Sequence, residues 1–242
     1  MHSLGALTRK LSTYAPLSQN DIKSLISIMG RPQVLPARHE LRFDGEDGHR
    51  AFLIEEGWAF TYKILANGSR QVVDIGVAGD ILGMRGLLLR NSDLSGALVT
   101  PAVVCELTTS ALYQAFETAP RVAAALLWST CRDESLIVEH LVDVGRRSAI
   151  ERVAHFMLEL YYRLRLVGLC QDGVFKCPLS QSLIADALGL TPIHLNRTMR
   201  ELRENGLVVC SQGIARIEDE RRLCEIAGYD PTYLDQARPL SA

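Results

Sequence analysis

Arg197, Arg200 and Arg203 stand three residues apart inside LIADALGLTPIHLNRTMRELRENGLV, residues 183–208. At that spacing three guanidinium groups share one side of a helix. Such groups pair with phosphates, or grip the O6 and N7 edge of guanine with two parallel hydrogen bonds. Asn196 carries an amide that can hold adenine in the same way. The outer face of this helix offers Ile193, His194, Asn196, Arg197 and Arg200.

The elements around these residues follow from local chemistry. Ser180 can cap a short helix over Gln181 to Leu188, and Gly189 can take the left-handed conformation that ends it. Thr191 caps the next helix, with Pro192 at its first position, where a missing N–H costs nothing. That helix is expected to run to about Glu204 and to stop before Asn205-Gly206. Small Ala185 lets the two helices cross closely, while Ile184, Leu188, Leu190 and Leu195 bury their inner faces. The pattern is a helix-turn-helix whose second helix enters a major groove. Thr191, with the free N–H groups at the helix start, can hold a phosphate, and Ser180 is a further candidate on the same side. LVVCSQGIARIED alternates around Gln212-Gly213 and reads as a hairpin, the wing of a winged helix. A helical hairpin in an unrelated domain would lack the wing, the caps and the arginines together.

The chain has 242 residues, 48% of them hydrophobic and 22% charged, with a net charge of −2. It is long enough for one large domain or two small ones. The near-zero charge means that nucleic-acid binding must sit on a local patch. No apolar run reaches the ~18 residues of a membrane span, and the first residues lack a secretion signal, so a cytoplasmic protein is expected. Six cysteines, Cys105, Cys131, Cys170, Cys177, Cys210 and Cys224, include no C-x-x-C pair. A metal cluster is therefore not expected, and reduced thiols are.

Residues 1–30 read as short helices, with Ser18 or Asn20 as a cap. From about Gln33 to Leu107 short apolar runs alternate with turns, and Asn67-Gly68 is a strong hairpin signal. This texture predicts an antiparallel sandwich, barrel or roll. From Ser110 the pattern is helical, and no Gly or Pro occurs between Arg121 and Val144, roughly 36 Å of helix at ~1.5 Å per residue. Ala124, Leu127, Cys131, Glu134, Val138 and Leu141 fall alternately three and four apart, a heptad-like seam interrupted by Glu134. A dimer helix is expected there; a buried spine helix inside a monomer would look similar. Gly145 and RRSAIER mark a boundary before a second helix carrying Ile150, Val153, Phe156, Met157 and Leu160. LCEIAGYDPTYLDQA reads as a short extra helix and turn without an assigned role.

A β-rich segment, a long helix and a winged helix-turn-helix together resemble the CRP/FNR family of bacterial transcription regulators. GRRSAIERVAHFMLEL (145–160) and PLSQSLIADALGLTPIHLNRTMRELRENGLV (178–208) carry the resemblance most specifically. Gly57, Gly68, Gly79 and Gly83 also fall where a cyclic-nucleotide-binding-type β-roll turns. The fold it implies is α+β: an N-terminal antiparallel β-roll with its helices over 1–119, a dimerisation helix and hinge over 120–147, and a winged helix-turn-helix over 148–242. It implies a homodimer through 120–146 on double-stranded DNA with two-fold symmetry, and RNA polymerase as a partner. The family's shared base-reading arginine matches Arg197. One turn earlier, cAMP-responsive and FNR-like members read bases with polar or charged residues. Pro192 and Ile193 stand there instead, which predicts a different operator, with His194 and Asn196 as compensating candidates.

The resemblance also bears on the signal. Met84 stands where cAMP-binding members place a ribose glutamate, and Leu94-Ser95 where they place Arg-Ser. Ile137 and Val138 occupy positions that hydrogen-bond adenine in those members. cAMP is therefore not expected, and Arg85, Arg90 and Ser95 remain the effector-site candidates. An Fe–S sensor needs an N-terminal cysteine cluster, whereas the first cysteine is Cys105. Haem is not expected from the isolated His39, His49 and His140. A small-molecule signal, oxidation of Cys131, Cys170, Cys177 or Cys210, and a regulator without an obligate ligand all stay open. The last suits Leu87-Leu88-Leu89, which reads as filled core. Two rivals are an adaptor that no longer binds DNA and a cupin-like enzyme; the latter lacks an H-x-H pair, and no other catalytic set is present.

Overall fold

A computed structural model describes residues 4–43, 49–89 and 94–234. These form two compact units, one of residues 4–63 and 74–134, the other of 64–73 and 135–234. The described residues include no helix long and apolar enough to cross a membrane.

The first unit opens with α1 (Gly5–Ser12) and α2 (Gln19–Ile28). Of the two expected caps Ser18 is used: its hydroxyl accepts from the Asp21 N–H while the Asp21 carboxylate accepts from the Ser18 N–H, a reciprocal cap. The strands β1 (Gln33–Leu35), β2 (Glu40–Leu41), β3 (Arg50–Glu56), β4 (Ala59–Ile64), β5 (Arg70–Gly76), β6 (Ile81–Leu82), β7 (Ser95–Leu98) and β8 (Ala102–Thr108) follow. They build two four-stranded sheets, β1-β8-β3-β6 and β2-β7-β4-β5. The core between the sheets centres on Phe43 and Phe52, whose rings meet edge-on at 5.9 Å. Gly83 is required here: its φ is +85°, and a Cβ would stand 2.3 Å from the Phe43 ring. On the other face of the first sheet, Leu4, Leu7, Leu11 and Leu25 pack with Leu53, Leu107 and α3 (Thr109–Thr118).

The hairpin expected at Asn67-Gly68 forms between β4 and β5. The loop spans 65–69, with the Asn67 carboxamide accepting from the Ser69 N–H at 3.0 Å and Leu65 N–H donating to the Ser69 carbonyl. Leu87-Leu88-Leu89 is not a filled core. A 3₁₀ turn, Met84–Leu87, buries Leu87, but the chain then turns outward and leaves Leu88 63% and Leu89 51% exposed. The chain leaves the 3₁₀ turn at Leu88, so only the first of the three leucines reaches the interior.

Lys10 carries a buried charge that the sequence did not announce. Its ammonium lies 2.9 Å from Asp80 and 3.4 Å from Asp133, on α4 (Pro120–Arg146). An unpaired ammonium at that depth would be prohibitive, so the carboxylates make its burial tolerable.

The second unit contains the end of α4, then α5 (Ala149–Leu166), β9 (Cys170–Gln171), β10 (Val174–Lys176), α6 (Gln181–Leu188), α7 (Pro192–Glu204), β11 (Val208–Ser211), β12 (Ile214–Ile217) and α8 (Glu220–Ala227). Its sheet runs β11-β12-β10-β9, all antiparallel. The pair β9–β10 went unforeseen because strands of two and three residues show no periodicity. The buried face of α5, Val153, Phe156, Met157, Leu160 and Leu164 among others, is the centre of this unit. The outer part of the β4–β5 hairpin belongs here too: Arg70 pairs with Asp186 at 2.6 Å.

Candidate nucleic-acid interface

The two helices of the interface are set by their termini. The Ser180 hydroxyl accepts from the Leu183 N–H at 3.2 Å and starts α6; Gly189, at φ +64°, ends it. That left-handed turn costs a residue with a Cβ about 1–2 kcal/mol and glycine little. The Leu190 N–H returns to the Ala185 carbonyl at 3.0 Å, which closes the turn. The Thr191 hydroxyl accepts from the His194 N–H at 3.2 Å, and Pro192 opens α7. Ala185, Leu188 and Leu195 are buried where the helices meet.

This packing decides which side of α7 is free. Leu195, Thr198 and Leu202 point inward. At 100° per residue the opposite side carries Ile193, Arg197 and Arg200, with Asn196 at its edge. All four are exposed. Among the described residues no hydrogen bond or ion pair engages the guanidinium groups of Arg197, Arg200 or Arg203. Three arginines against two carboxylates, Glu201 and Glu204, leave α7 with an excess of positive charge on a chain of net charge −2.

The remaining candidates divide. His194 is half-buried on the flank of α7, and its carbonyl accepts from the Thr198 hydroxyl. Asn196 donates to the Gln181 side chain at 3.2 Å, which brings in a polar residue missed in the sequence. Ser180 and Thr191 use their oxygens as caps; the Ser180 hydroxyl also meets the Ser182 hydroxyl at 2.9 Å, whereas Thr191 keeps its O–H hydrogen for another acceptor, such as a phosphate. At the wing tip Gln212 and Gly213 take φ +50° and +74°, the backbone of a two-residue hairpin. A groove of about 470 Å³ runs between α7 and this tip, lined by Ser180, Gln181, Asn196, Arg200, Arg203 and Gln212.

Behind the interface lies a cluster of opposite character. At the end of α4, Arg147 donates to Asp143 at 2.7 Å and to Glu139 at 2.8 Å. The fully buried His155 of α5 has Nδ1 3.2 Å from Asp143 and Nε2 3.4 Å from Glu139. His140 meets Glu159 at 2.8 Å, and Arg163 meets the other Glu159 oxygen at 2.8 Å. Burial alone would raise the Glu159 carboxyl, but His140, Arg163 and His155 hold it down at about 2. Two histidines and three carboxylates gather here, yet among the described residues no three such groups are arranged to hold a metal ion. The C-terminal segment covers the cluster: Tyr229 and Tyr233 lie 4.9 and 5.9 Å from the His155 ring. Glu220 of α8 accepts from the hydroxyls of Tyr161 at 2.9 Å and Tyr162 at 2.6 Å.

The effector candidates lie on separate elements of the β-roll. Arg85 is exposed on the 3₁₀ turn, and Ser95 is exposed on β7 opposite Tyr62. Arg90 lies outside the described residues. Burial pushes the thiol of Cys177 up to about 11 and raises Cys170. Loss of solvent around the sulfur pushes Cys210 up to about 12, although the residue as a whole reaches the surface. These three are thiols at neutral pH and weak nucleophiles. Cys131 lies exposed on α4.

Comparison with known proteins agrees with this geometry. Family models match in two places: the cyclic nucleotide-binding domain over residues 32–119 and the Crp-like helix-turn-helix domain over 151–226. The nitrogen fixation regulation protein FixK of Bradyrhizobium diazoefficiens is 32% identical over 189 residues, 78% of each chain. The transcriptional activatory protein AadR of Rhodopseudomonas palustris is 30% identical over 187 residues, 76% of each chain. Among solved structures, FixK2 from Bradyrhizobium japonicum superposes with a TM-score of 0.71 at 24% identity, covering 83% of this chain and 98% of that one.

Proposed function

The chain belongs to the CRP/FNR family of DNA-binding transcriptional regulators, and from that premise we propose that two copies bind one two-fold symmetric DNA site, each through α7. One observation carries this reading: Arg197 and Arg200 stand unpaired on the outward face of a helix whose opposite face is buried. Arg197 reads a guanine. Arg200, Thr191 and Ser180 hold phosphates, while Asn196, braced by Gln181, and His194 flank the readers. The parts are a β-roll over 1–119, a pairing helix and hinge over 120–147, and a DNA-binding domain over 148–242.

The pairing surface is the seam of α4. Leu127, Cys131, Glu134, Val138 and Leu141 are exposed in the single chain, Leu141 at 73%. A spine helix buried within a monomer would hide them, whereas a second copy would cover them by heptad packing. Family membership supports the DNA-binding role and excludes no signal. Contact with RNA polymerase and a cytoplasmic location follow from the same reading.

The test is selection of duplexes from random DNA, followed by affinity measurement with Arg197→Ala. Loss of a bidentate guanine contact costs about 1–3 kcal/mol per half-site, so binding to the selected duplex should fall at least tenfold with circular dichroism unchanged. Undiminished binding by the variant would overturn the assignment of Arg197.

A further inference from the structure

Ile193 is the most exposed of the large apolar side chains among the described residues, at 85%. A single exposed isoleucine is unremarkable on an ordinary surface. This one occupies the second position of α7, in the turn that a recognition helix presents to base edges. It points directly away from the buried Leu195 and Leu202, and Arg197 follows one turn later on the same face.

Chemistry narrows what such a side chain can read. It has no donor or acceptor, so it cannot pair with N4 of cytosine, N6 of adenine or O6 of guanine. Pressed against those groups it would strip their water and return nothing. The major groove displays one apolar group, the 5-methyl of thymine. Pro192 beside it adds no side-chain hydrogen bond and lacks a backbone N–H, so its immediate neighbour on the outward face supplies no polar group in its place.

We infer that Ile193 is a specificity residue that recognises a thymine methyl group in each half-site. Between Ile193 and Arg197 the helix rises about 6 Å, against ~3.4 Å per base pair. The thymine therefore lies within about two base pairs of the guanine held by Arg197. The inference rests on α7 being the reading helix and adds the base that its first turn selects.

The experiment uses a duplex selected by the full-length protein, with each thymine replaced in turn, in both half-sites, by deoxyuridine, which lacks only the methyl. One position per half-site should lose about fourfold in affinity, or ~15-fold for both halves together. The fourfold step corresponds to ~0.8 kcal/mol. Ile193→Ala should bind the parent duplex more weakly by a similar factor and no longer distinguish thymine from uracil there. Because Ile193 is exposed, the variant should melt like the parent protein. Equal affinity of the wild type for every deoxyuridine duplex overturns the inference and leaves the regulator reading intact. So does Ile193→Ala that still prefers thymine. Failure to select any duplex overturns both.

Discussion

Two groups of arginines divide the labour of the DNA-binding half. Arg197 and Arg200 on α7 meet no carboxylate and face outward. Arg147, in the link between α4 and α5, and Arg163 on α5 are largely withdrawn from water and bound to Asp143, Glu139 and Glu159. The residue type is the same; the neighbours differ. An arginine that already holds its anion rigidifies a junction, whereas one without an anion is free to take a phosphate or a base edge. The comparison teaches that counting arginines says little until their carboxylates are located.

The sharpest way to break the contrast is to remove an anion from the buried group. Glu159→Gln should destabilise the protein by about 3–5 kcal/mol, because Arg163 and His140 are left without their partner; urea unfolding checks this. Arg197→Ala, in the same assay, should stay within about 0.5 kcal/mol of the parent. A small effect of Glu159→Gln would mean that the cluster does not brace the junction.

The proposed pairing surface on α4 gives the next largest effect. Leu141→Glu places a charge in the apolar seam, and sedimentation should show a dimer weakened at least tenfold, since burying one such side chain is worth about 1.5–3 kcal/mol. Glu134→Leu should act in the opposite direction, because two copies would otherwise bring like charges together at one seam position.

Acid separates the two groups further. The Glu159 carboxyl sits at about 2 in the folded chain, against 4.5 ordinarily. A lowered carboxyl contributes stability that is complete above about pH 4.5 and drains away as pH falls towards 2. Unfolding curves should show that loss in the parent and much less of it in Glu159→Gln. The gentlest test concerns salt. Each phosphate contact releases counterions, so affinity should fall steeply as salt rises, and Arg200→Ala should reduce the slope of log affinity against log salt by about 1 per subunit.

The helices α6 and α7 were legible because their signals are local. Ser180, Gly189, Thr191, Pro192 and Gly206 act on backbone groups a few residues away, and the structure starts and ends α6 and α7 as those residues predict. The β-roll was legible as a class, and so was its hairpin at Asn67-Gly68, whereas the outward turn at Leu88 depends on contacts that no short pattern encodes. The charge cluster was not legible. His140 read as an isolated histidine, and its partner Glu159 lies 19 residues away on another helix. Tyr229 and Tyr233 had no assigned role until they were seen against His155.

The amino-acid order alone determined where helices begin and stop, which faces are apolar and which residue types crown α7, since caps, left-handed glycines and the helical period act within one or two turns of chain. The tertiary structure alone decided which charges are spent and which are free. Arg147–Asp143 and Arg163–Glu159 are one helical turn apart in sequence, but Lys10–Asp80, His140–Glu159 and His155–Asp143 join groups far apart along the chain, and only the packed fold brings those within about 4 Å.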